Sequence, residues 1–424
     1  MSSMHLIRCG LASLALAAVA SASVLVVSPG GAITQIQQAV NLASEGDTIL
    51  VESGSYSGFT VNGLSLAIAG DAGSTVRVEG AVSILNLHEG QVVVLQNLNV
   101  HGPNGGTPSV QPAITLANDT GRVRIQGCSV IGGNADVCAQ VVVDGGDAIH
   151  ADSCDDVALI HCVSRGGNST TDGNEIVFGI GGNGALATLS VLTAYESNVY
   201  GGDGSVCCDG SSGGNGLSLR AGSFLFGSGC QAIGAAGANA QYVCTCAYGG
   251  DGGDGVKLSG MSQAFVLAWT SQGGTYGHGS GGFGCIPSDG DGGPGMNEAI
   301  ATGSSITHWA GTARTMTAPS PVHAGTNAAL VLRGVPGEHV MLFVSDATLD
   351  RFIPSWDGVL LVDARPPHGV SVDLGFVPVG GVLSAQLPIA DPGVPAKTFY
   401  LQAVFSDLVG TKQLGTPGCM VVLQ

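Results

Sequence analysis

Short apolar runs, each closed by a glycine turn, recur from Leu64 to about Ala310 and constrain the fold more than any other feature of the chain. A second glycine landmark opens each later repeat, at spacings of 36, 32, 39 and 40 residues. Repeats of this length indicate a solenoid or a propeller. A propeller blade of about 40 residues needs four strands and usually an aromatic signature, whereas each repeat here offers two or three short strands and few aromatic residues. The pattern therefore predicts a parallel β-helix over residues 23–311. The landmarks are Gly146-Asp147-Ala148, Gly182-Asn183-Gly184, Gly214-Asn215-Gly216, Gly253-Asp254-Gly255 and Gly293-Pro294-Gly295.

Each repeat is longer than its strands require, so each coil is expected to carry an insertion. The insertions are rich in glycine, which supplies 70 of the 424 residues. They all fall at the same place in the repeat and should therefore emerge from one side of the solenoid. Loops on a rigid scaffold are where function usually resides, so the stacked insertions are the predicted working surface.

The run "ITQIQQAVNLASEGDTILVESGSYSG" precedes the repeats. Thr34 with Gln37 fits a capping box, and an apolar face follows before Gly46 ends the predicted helix. This run resembles the opening of pectate-lyase-like β-helix proteins. The resemblance implies a right-handed parallel β-helix with an N-terminal helix that caps its open end.

The pattern changes in residues 312–326, which are interpreted as a linker. About seven short strands separated by turns follow in residues 327–424, a spacing that predicts a small immunoglobulin-like β-sandwich. The pattern "GVPGEHVMLFVSD" resembles a C-terminal all-β module of secreted planctomycete-like proteins. That resemblance implies no active site.

Residues 1–22 read as a signal peptide, with Arg8 before a short apolar run and two A-x-A cleavage sites. No later stretch is long enough for a transmembrane helix, so the mature protein is expected to be secreted, either extracellular or on the cell surface. The net charge of −18 disfavours nucleic acid as a partner. It would also repel polyanionic sugars unless a cation such as Ca²⁺ bridged them. The oligomeric state is left open.

Cys9 leaves with the signal peptide, so an odd number of the 12 cysteines remains in a compartment where disulfides persist. Cys128 and Cys162 hold the same slot in successive coils. They could form a disulfide or belong to a buried ladder of small apolar residues. Disulfides that pin the glycine-rich insertions are expected for a further set. That set comprises Cys207, Cys208, Cys244, Cys246 and Cys285.

Catalytic candidates are sparse. Polygalacturonase-like hydrolases combine several aspartates with Gly-His-Gly and Arg-Ile-Lys motifs. This chain offers Asp155, Asp156 and a Gly-His-Gly around His278, but it lacks Arg-Ile-Lys. Lyases need a Lys or Arg base and a cation, and the few basic residues of the solenoid do not recur beside stacked aspartates.

Aspartates cluster in the insertions, where Asp-Gly spacing can offer oxygen ligands to Ca²⁺ or serve turn chemistry. The Ca²⁺ candidates are Asp203, Asp209, Asp251, Asp254, Asp289 and Asp291. Tyr248, Trp269 and Tyr276 are candidates for stacking on sugars, and Trp269 has core packing as its alternative.

The sequence favours a non-catalytic extracellular β-helix protein that presents stacked loops to a polysaccharide or surface partner, or that serves a structural role. The alternative is a divergent polysaccharide lyase or glycoside hydrolase that acts on an acidic polysaccharide.

Overall fold

The computed structural model describes residues 22–105, 110–135, 143–169, 179–205, 209–240, 248–280 and 290–424. Parallel strands stack coil upon coil into long sheets. Within these ranges the fold is all-β apart from one short helix and isolated 3₁₀ turns, which confirms the predicted solenoid of β-helix type. None of the helices in the described ranges is long and apolar enough to span a membrane.

Three parallel sheets form the sides of the solenoid, because β10 and β12 each turn a corner and contribute one half to the first sheet and the other half to the second. The first sheet contains β1 (Val24–Val27), β2 (Asp47–Val51), β5 (Leu66–Gly70), β8 (Val92–Gln96), the second halves of β10 (Ile114–Gln126) and β12 (Ile149–Ile160), β15 (Val191–Tyr195), β18 (Phe224–Ser228), β21 (Gln263–Leu267) and β24 (Ser305–Trp309). The second sheet contains β4 (Thr60–Asn62), β7 (Val82–Leu85), the first halves of β10 and β12, β14 (Ala185–Thr188), β17 (Leu217–Arg220), β20 (Val256–Leu258) and β23 (Glu298–Ile300). The third sheet contains β3 (Gly54–Ser57), β6 (Val76–Glu79), β9 (Leu98–His101), β11 (Ser129–Ile131), β13 (Val163–Arg165), β16 (Asn198–Tyr200), β19 (Gln231–Ile233) and β22 (Thr270–Gln272).

Alternation along each strand sends every second side chain into one continuous core. Ile49, Ile68, Leu95, Ile125 and Leu159 are successive partners in the first sheet and are all buried. Because residues dozens apart in sequence become vertical neighbours, apolar side chains of similar size stack on one another. Burying each of them stabilises the native state by about 1.5–3 kcal/mol.

A column of left-handed residues makes the corner between the first and third sheets. Its members are Asn97, Gly127, His161, Glu196, Gly229 and Ala268, with φ between 45° and 68°. Asparagine and glycine adopt this conformation at low cost. The side chains of the column point away from the core, and three of them bond the C-terminal region: Asn97 to Ser320, His161 to Met316, and Glu196 to Thr416.

The helix α1 (Ile36–Leu42) packs Ile36, Ala39 and Val40 against the first coils. Its N-terminus differs from the predicted capping box. The Gln38 side chain, rather than Gln37, accepts the backbone N–H groups of Thr34 and Gln35. Gln37 instead accepts the N–H of Thr60 in β4. The first helical turn therefore begins later than predicted, and that shift turns Gln37 toward the solenoid.

The C-terminal region forms one antiparallel sheet and one mixed sheet around a second core, with a hairpin between it and the solenoid. One sheet contains β25 (Thr315–Thr317), β27 (Asn327–Arg333) and β32 (Val382–Pro388); the other contains β26 (Val322–His323), β28 (His339–Ser345), β31 (Gly369–Phe376), β33 (Ala396–Ser406) and β34 (Lys412–Leu423). The hairpin contains β29 (Thr348–Ile353) and β30 (Gly358–Val362), joined through a 3₁₀ turn at Pro354–Trp356. Two of these strands, β25 and β26, lie inside the segment 312–326.

The C-terminal region covers the outer surface of the first sheet. The side-chain amides of Gln96 and Gln126 both donate to the carbonyl of Cys419, and the Tyr195 hydroxyl donates to the carbonyl of Val359. The first sheet is therefore not an open surface, and the exposed sides of the solenoid are the second and third sheets.

The described cysteines are free thiols, so the disulfide alternative for Cys128 and Cys162 is wrong. The two thiols and that of Cys230 lie buried in one corner column, in which Ser197 takes the slot between Cys162 and Cys230. Burial raises the pKa of the Cys162 thiol to about 11. Cys128, Cys162 and Cys230 therefore belong to a buried ladder of small residues, which was the alternative. Cys207, Cys208, Cys244, Cys246 and Cys285 lie outside the described residues.

Candidate functional site: a glycine bundle and its groove

The described parts of the insertions form two stacked layers, an outgoing layer that follows the strands of the third sheet and a returning layer that precedes the strands of the second sheet. The outgoing layer contains residues 132–135, 166–169, 201–205, 234–240 and 273–280. The returning layer contains residues 144–147, 179–183, 209–215, 248–254 and 290–297. Together these segments are called the glycine bundle.

Backbone hydrogen bonds in the bundle repeat every three residues. Within the outgoing layer, Gly201 donates to Ile233, and Gly204, three residues later, donates to Ala236. Between the layers an unbroken series of N–H···O bonds of 2.8–3.0 Å links one glycine slot per segment, and alanine fills the slot at Ala235. The series runs through Gly133, Gly146, Gly167, Gly182, Gly202, Gly214, Ala235, Gly253, Gly274 and Gly295. A three-residue period with no bonds inside a described segment is that of polyproline II-like chains, so the described segments of the insertions are packed extended rods rather than irregular loops.

Close approach of the rods explains the glycine pairs. A Cβ at Gly202 would lie 1.9 Å from the carbonyl oxygen of Gly167, and a Cβ at Gly201 would lie 2.0 Å from that of Gly214. Two consecutive positions of each triplet thus face neighbouring rods, and only the third points to solvent. The Gly-Gly-x spacing in the insertions was the sequence signal for these rods. The prediction of stacked loops rested only on the position of the insertions in the repeat.

In the last rod of the returning layer, Pro294 takes one of the two positions of the triplet that are glycine in the other rods of this layer. The equivalent Gly252 donates its N–H to Gly293, and a Cβ there would meet Gly274 of the following coil. No bundle coil follows Pro294, so neither an N–H donor nor a bare Cα is needed there. The bundle therefore ends at a rod whose sequence suits an edge.

Outward side chains of the returning layer form a ladder along the stack. Asp147 Oδ1 accepts the backbone N–H of Asn183 at 2.8 Å, Asn215 donates to Asn183 Oδ1, and Asp254 Oδ1 accepts the N–H of Met296. Each side chain is thus fixed by the next coil. Coils lie about 4.8 Å apart, and the outward positions of one rod are about 9 Å apart, so the polar groups form a regular grid.

A groove of about 750 Å³ lies between this grid and the second sheet and is called the bundle groove. One wall carries the outward aspartates and asparagines of the returning layer. The other carries His150, Arg220 and Lys257. His150 Nδ1 lies 3.4 Å from Asp147, and Lys257 Nζ lies 3.7 Å from Asp254, whereas the Arg220 guanidinium makes no ion pair with any described residue. The groove therefore offers acceptors on one side and donors on the other.

A second groove, of about 590 Å³, lies between the outgoing layer and the third sheet. Its floor is mainly apolar, with Ile131, Val163, Tyr200 and Ile233, and its two charged residues, Arg165 and Asp203, pair with each other. The bundle groove is therefore the stronger candidate for recognising a hydrophilic ligand.

The Ca²⁺ candidates are distributed over both layers. Asp203 pairs with Arg165 on the outgoing layer, Asp209 accepts the N–H of Tyr248, and Asp291 lies 3.5 Å from His278. Asp251 and Asp254 line the bundle groove. Among the described residues no three His, Cys, Asp or Glu side chains are grouped to hold a metal ion, and Asp289 lies outside those residues.

The catalytic candidates lie apart. Asp156 is buried beneath the C-terminal hairpin, where both its oxygens accept from Arg124 at 2.6 Å. Asp155 is exposed on the same strand, and His278 lies in the outgoing layer, where it packs edge-on against Tyr276. Asp156 therefore has a structural partner, and the three side chains do not converge.

The aromatic candidates also occupy different places. Trp269 packs against the solenoid core and over Gly227, while Tyr248 and Tyr276 are exposed on the returning and outgoing layers.

Asp144 and His150 also line the groove, but the sequence analysis did not select them as site residues. Asp144 and Asp147 each lie 36 residues before their partners Ile180 and Asn183 in the next coil. This spacing was the signal that could have placed Asp144 and His150 in the site.

Asp350, on the hairpin strand β29, faces the buried Arg124–Asp156 pair. Burial, and next the charge of Asp156, raise the pKa of Asp350 to about 6, against an opposing effect of Arg124 and Arg122. The carboxyl group of Asp350 therefore holds its proton more tightly in the folded protein than in the unfolded chain. The resulting stability is fully present below pH 3.8 and is lost as the pH rises through about 6.

We expect Asp350→Asn to lose less stability than the wild type between pH 4 and pH 7, because the amide has no proton to release. Urea unfolding at four pH values in this range measures the difference in the free energy of unfolding. Asp155→Asn, at an exposed site on the facing strand, should follow the wild-type curve. Parallel curves for Asp350→Asn and wild type would contradict the expectation.

No protein-family model matches the chain, and no curated protein matches it. Among solved structures, the chain is similar to the receptor-binding protein of bacteriophage Det7, described as a podoviral tailspike in a myovirus. The identity is 11%, the match covers 93% of this chain and 97% of that one, and the TM-score is 0.15. A score this low carries no argument about fold or function.

Proposed function

We propose that this protein is an extracellular or cell-surface recognition protein that binds a polysaccharide in the bundle groove without catalysing a reaction. The observation that carries the proposal is the groove itself, in which the aspartates and asparagines of one wall stand in register and the other wall carries His150, Arg220 and Lys257. A polymer with repeated hydroxyl groups suits a wall that repeats its polar side chains at the coil spacing.

The proposal includes the finer features that the sequence predicts. These are cleavage of the signal peptide at residues 1–22, a right-handed pectate-lyase-like β-helix with α1 as its end cap, and an immunoglobulin-like C-terminal module of planctomycete type. Ca²⁺ at the bundle aspartates stays a prediction. The arrangement of Asp155, Asp156 and His278 gives no support to the alternative of a lyase or hydrolase.

Electrophoresis of the protein through gels that contain neutral, acidic or amino polysaccharides tests binding. We expect at least one polymer to retard the wild type and Ile180→Trp to abolish most of that retardation. Ile180 lines the groove and is half exposed, so the indole would fill space that the polymer needs.

Val379→Trp is the matched control, since Val379 is 93% exposed in the C-terminal region. It should behave as the wild type. Retardation by none of the polymers, or equal retardation of the two tryptophan variants, would contradict the proposal.

A further inference from the structure

Two carboxylates in the bundle groove have one oxygen fixed and the other unused. Asp144 Oδ1 accepts the N–H of Ile180 at 2.7 Å, and Asp251 Oδ1 accepts the N–H of Gly293 at 2.6 Å. Neither carboxylate has a Lys, Arg or His of the described chain within 4.0 Å. Each therefore presents a preoriented Oδ2 without a cationic partner.

The neighbouring column of the same layer is different. Asp147 lies 3.4 Å from a ring nitrogen of His150, and the ammonium group of Lys257 partly neutralises Asp254. The second sheet therefore supplies basic side chains to one column of the grid and none to the other. A ligand that binds along the groove would meet the uncompensated column of Asp144 and Asp251.

A buried polar atom without a partner lies just beneath the floor of the groove. Ser218 lies between Leu186 and Lys257 in the outward column of the second sheet, and both of these neighbours line the groove. Its side chain is fully buried, and its Oγ has no hydrogen-bond partner among the described residues. A buried hydroxyl without a partner costs stability. Ser218 itself does not line the groove, so a ligand reaches this hydroxyl only by displacing the side chain of Leu186 or Lys257.

We infer, on the basis of the proposed function, that the polysaccharide carries free primary amino groups and that its ammonium groups pair with Asp144 and Asp251. Asp144 and Asp251 stand three coils apart in one column, about 14 Å. Each carboxylate forms a charge-assisted hydrogen bond with an ammonium group. The net charge of −18 attracts a cationic polymer and repels a polyanionic one.

The opposite wall completes the recognition of a sugar. Arg220 and Lys257 have only N–H donors, which suit the ring and hydroxyl oxygens of the same polymer. The ammonium groups then face the returning layer and the oxygen atoms face the second sheet. This orientation keeps like charges apart.

Titration calorimetry with a hexamer of β-1,4-linked glucosamine and with its fully N-acetylated counterpart tests the inference. We expect the amino hexamer to bind the wild type roughly tenfold more tightly than the acetylated one, because acetylation removes the charge. Asp144→Asn and Asp251→Asn should each weaken binding of the amino hexamer roughly tenfold. Both variants keep Oδ1 as an acceptor for the next coil, and circular dichroism checks their fold.

Asp203→Asn, on the outgoing layer, is the matched control and should bind as the wild type does. Equal affinity for the two hexamers would overturn the amino-group inference while leaving the proposed function, which the Ile180→Trp experiment tests separately. Failure of the amino hexamer to bind would also overturn it, and retardation by a neutral or acidic polymer would then still support the proposed function. Equally tight, Asp144-dependent binding of poly-L-lysine would overturn the assignment of a sugar polymer.

Discussion

Asp156→Ala is expected to lower the free energy of unfolding by about 3–5 kcal/mol, because it leaves a buried guanidinium without its partner. Arg124 is 1% exposed and donates through both terminal nitrogens to Asp156. The pair lies between the first sheet and the C-terminal hairpin, so the loss should also loosen the hairpin. Urea unfolding at pH 7 measures the change.

Two further variants decide whether the loss comes from the unpaired charge. Arg124→Met combined with Asp156→Leu removes both charges and keeps similar volume, so it should recover most of the lost stability. Asp203→Ala breaks the exposed pair with Arg165 and should cost at most about 1 kcal/mol. An Asp156→Ala loss no larger than that of Asp203→Ala would show that the buried pair is not the cause.

Gly253→Ala is expected to destabilise the protein by about 3 kcal/mol, as overpacking a tight contact does. A methyl group there would lie 1.9 Å from the carbonyl oxygen of Gly214 and 2.5 Å from its carbon, and a backbone cannot move aside as a flexible side chain can. The rods on both sides should separate. Thermal unfolding measures the cost, and hydrogen exchange at the Gly274 amide, which donates to Gly253, measures the local opening.

The matched control for this prediction is Gly30→Ala, at a position with nothing within 4 Å of the added Cβ and without a positive φ. That variant should be neutral or more stable by up to about 1 kcal/mol, because alanine reduces the entropy of the unfolded chain. Equal stability of Gly253→Ala and Gly30→Ala would contradict the prediction and would indicate a loosely packed bundle.

The candidate site was only partly predictable. The coil spacing placed the insertions on one side, and the Asp-Gly spacing included Asp251 and Asp254 among the candidate ligand residues. Their partners could not be predicted, because the hydrogen bonds of each aspartate run to a backbone group about 40 residues away in the next coil. Trp269 and Asp156 matched functional patterns in sequence, yet burial and pairing give them packing and electrostatic roles.

Local sequence determined the solenoid, because apolar residues at alternate positions and glycine turns at regular intervals act within a single coil. It also determined the existence of α1, though the capping residue moved from Gln37 to Gln38 because either amide can reach back to the first turn. Tertiary structure alone decided that the C-terminal region covers the first sheet, since Gln126 and Cys419 meet across 293 residues. It likewise decided that the glycine insertions pack as two layers of rods. A glycine pair permits close approach in many arrangements, and only the neighbouring coils fix which carbonyl it meets.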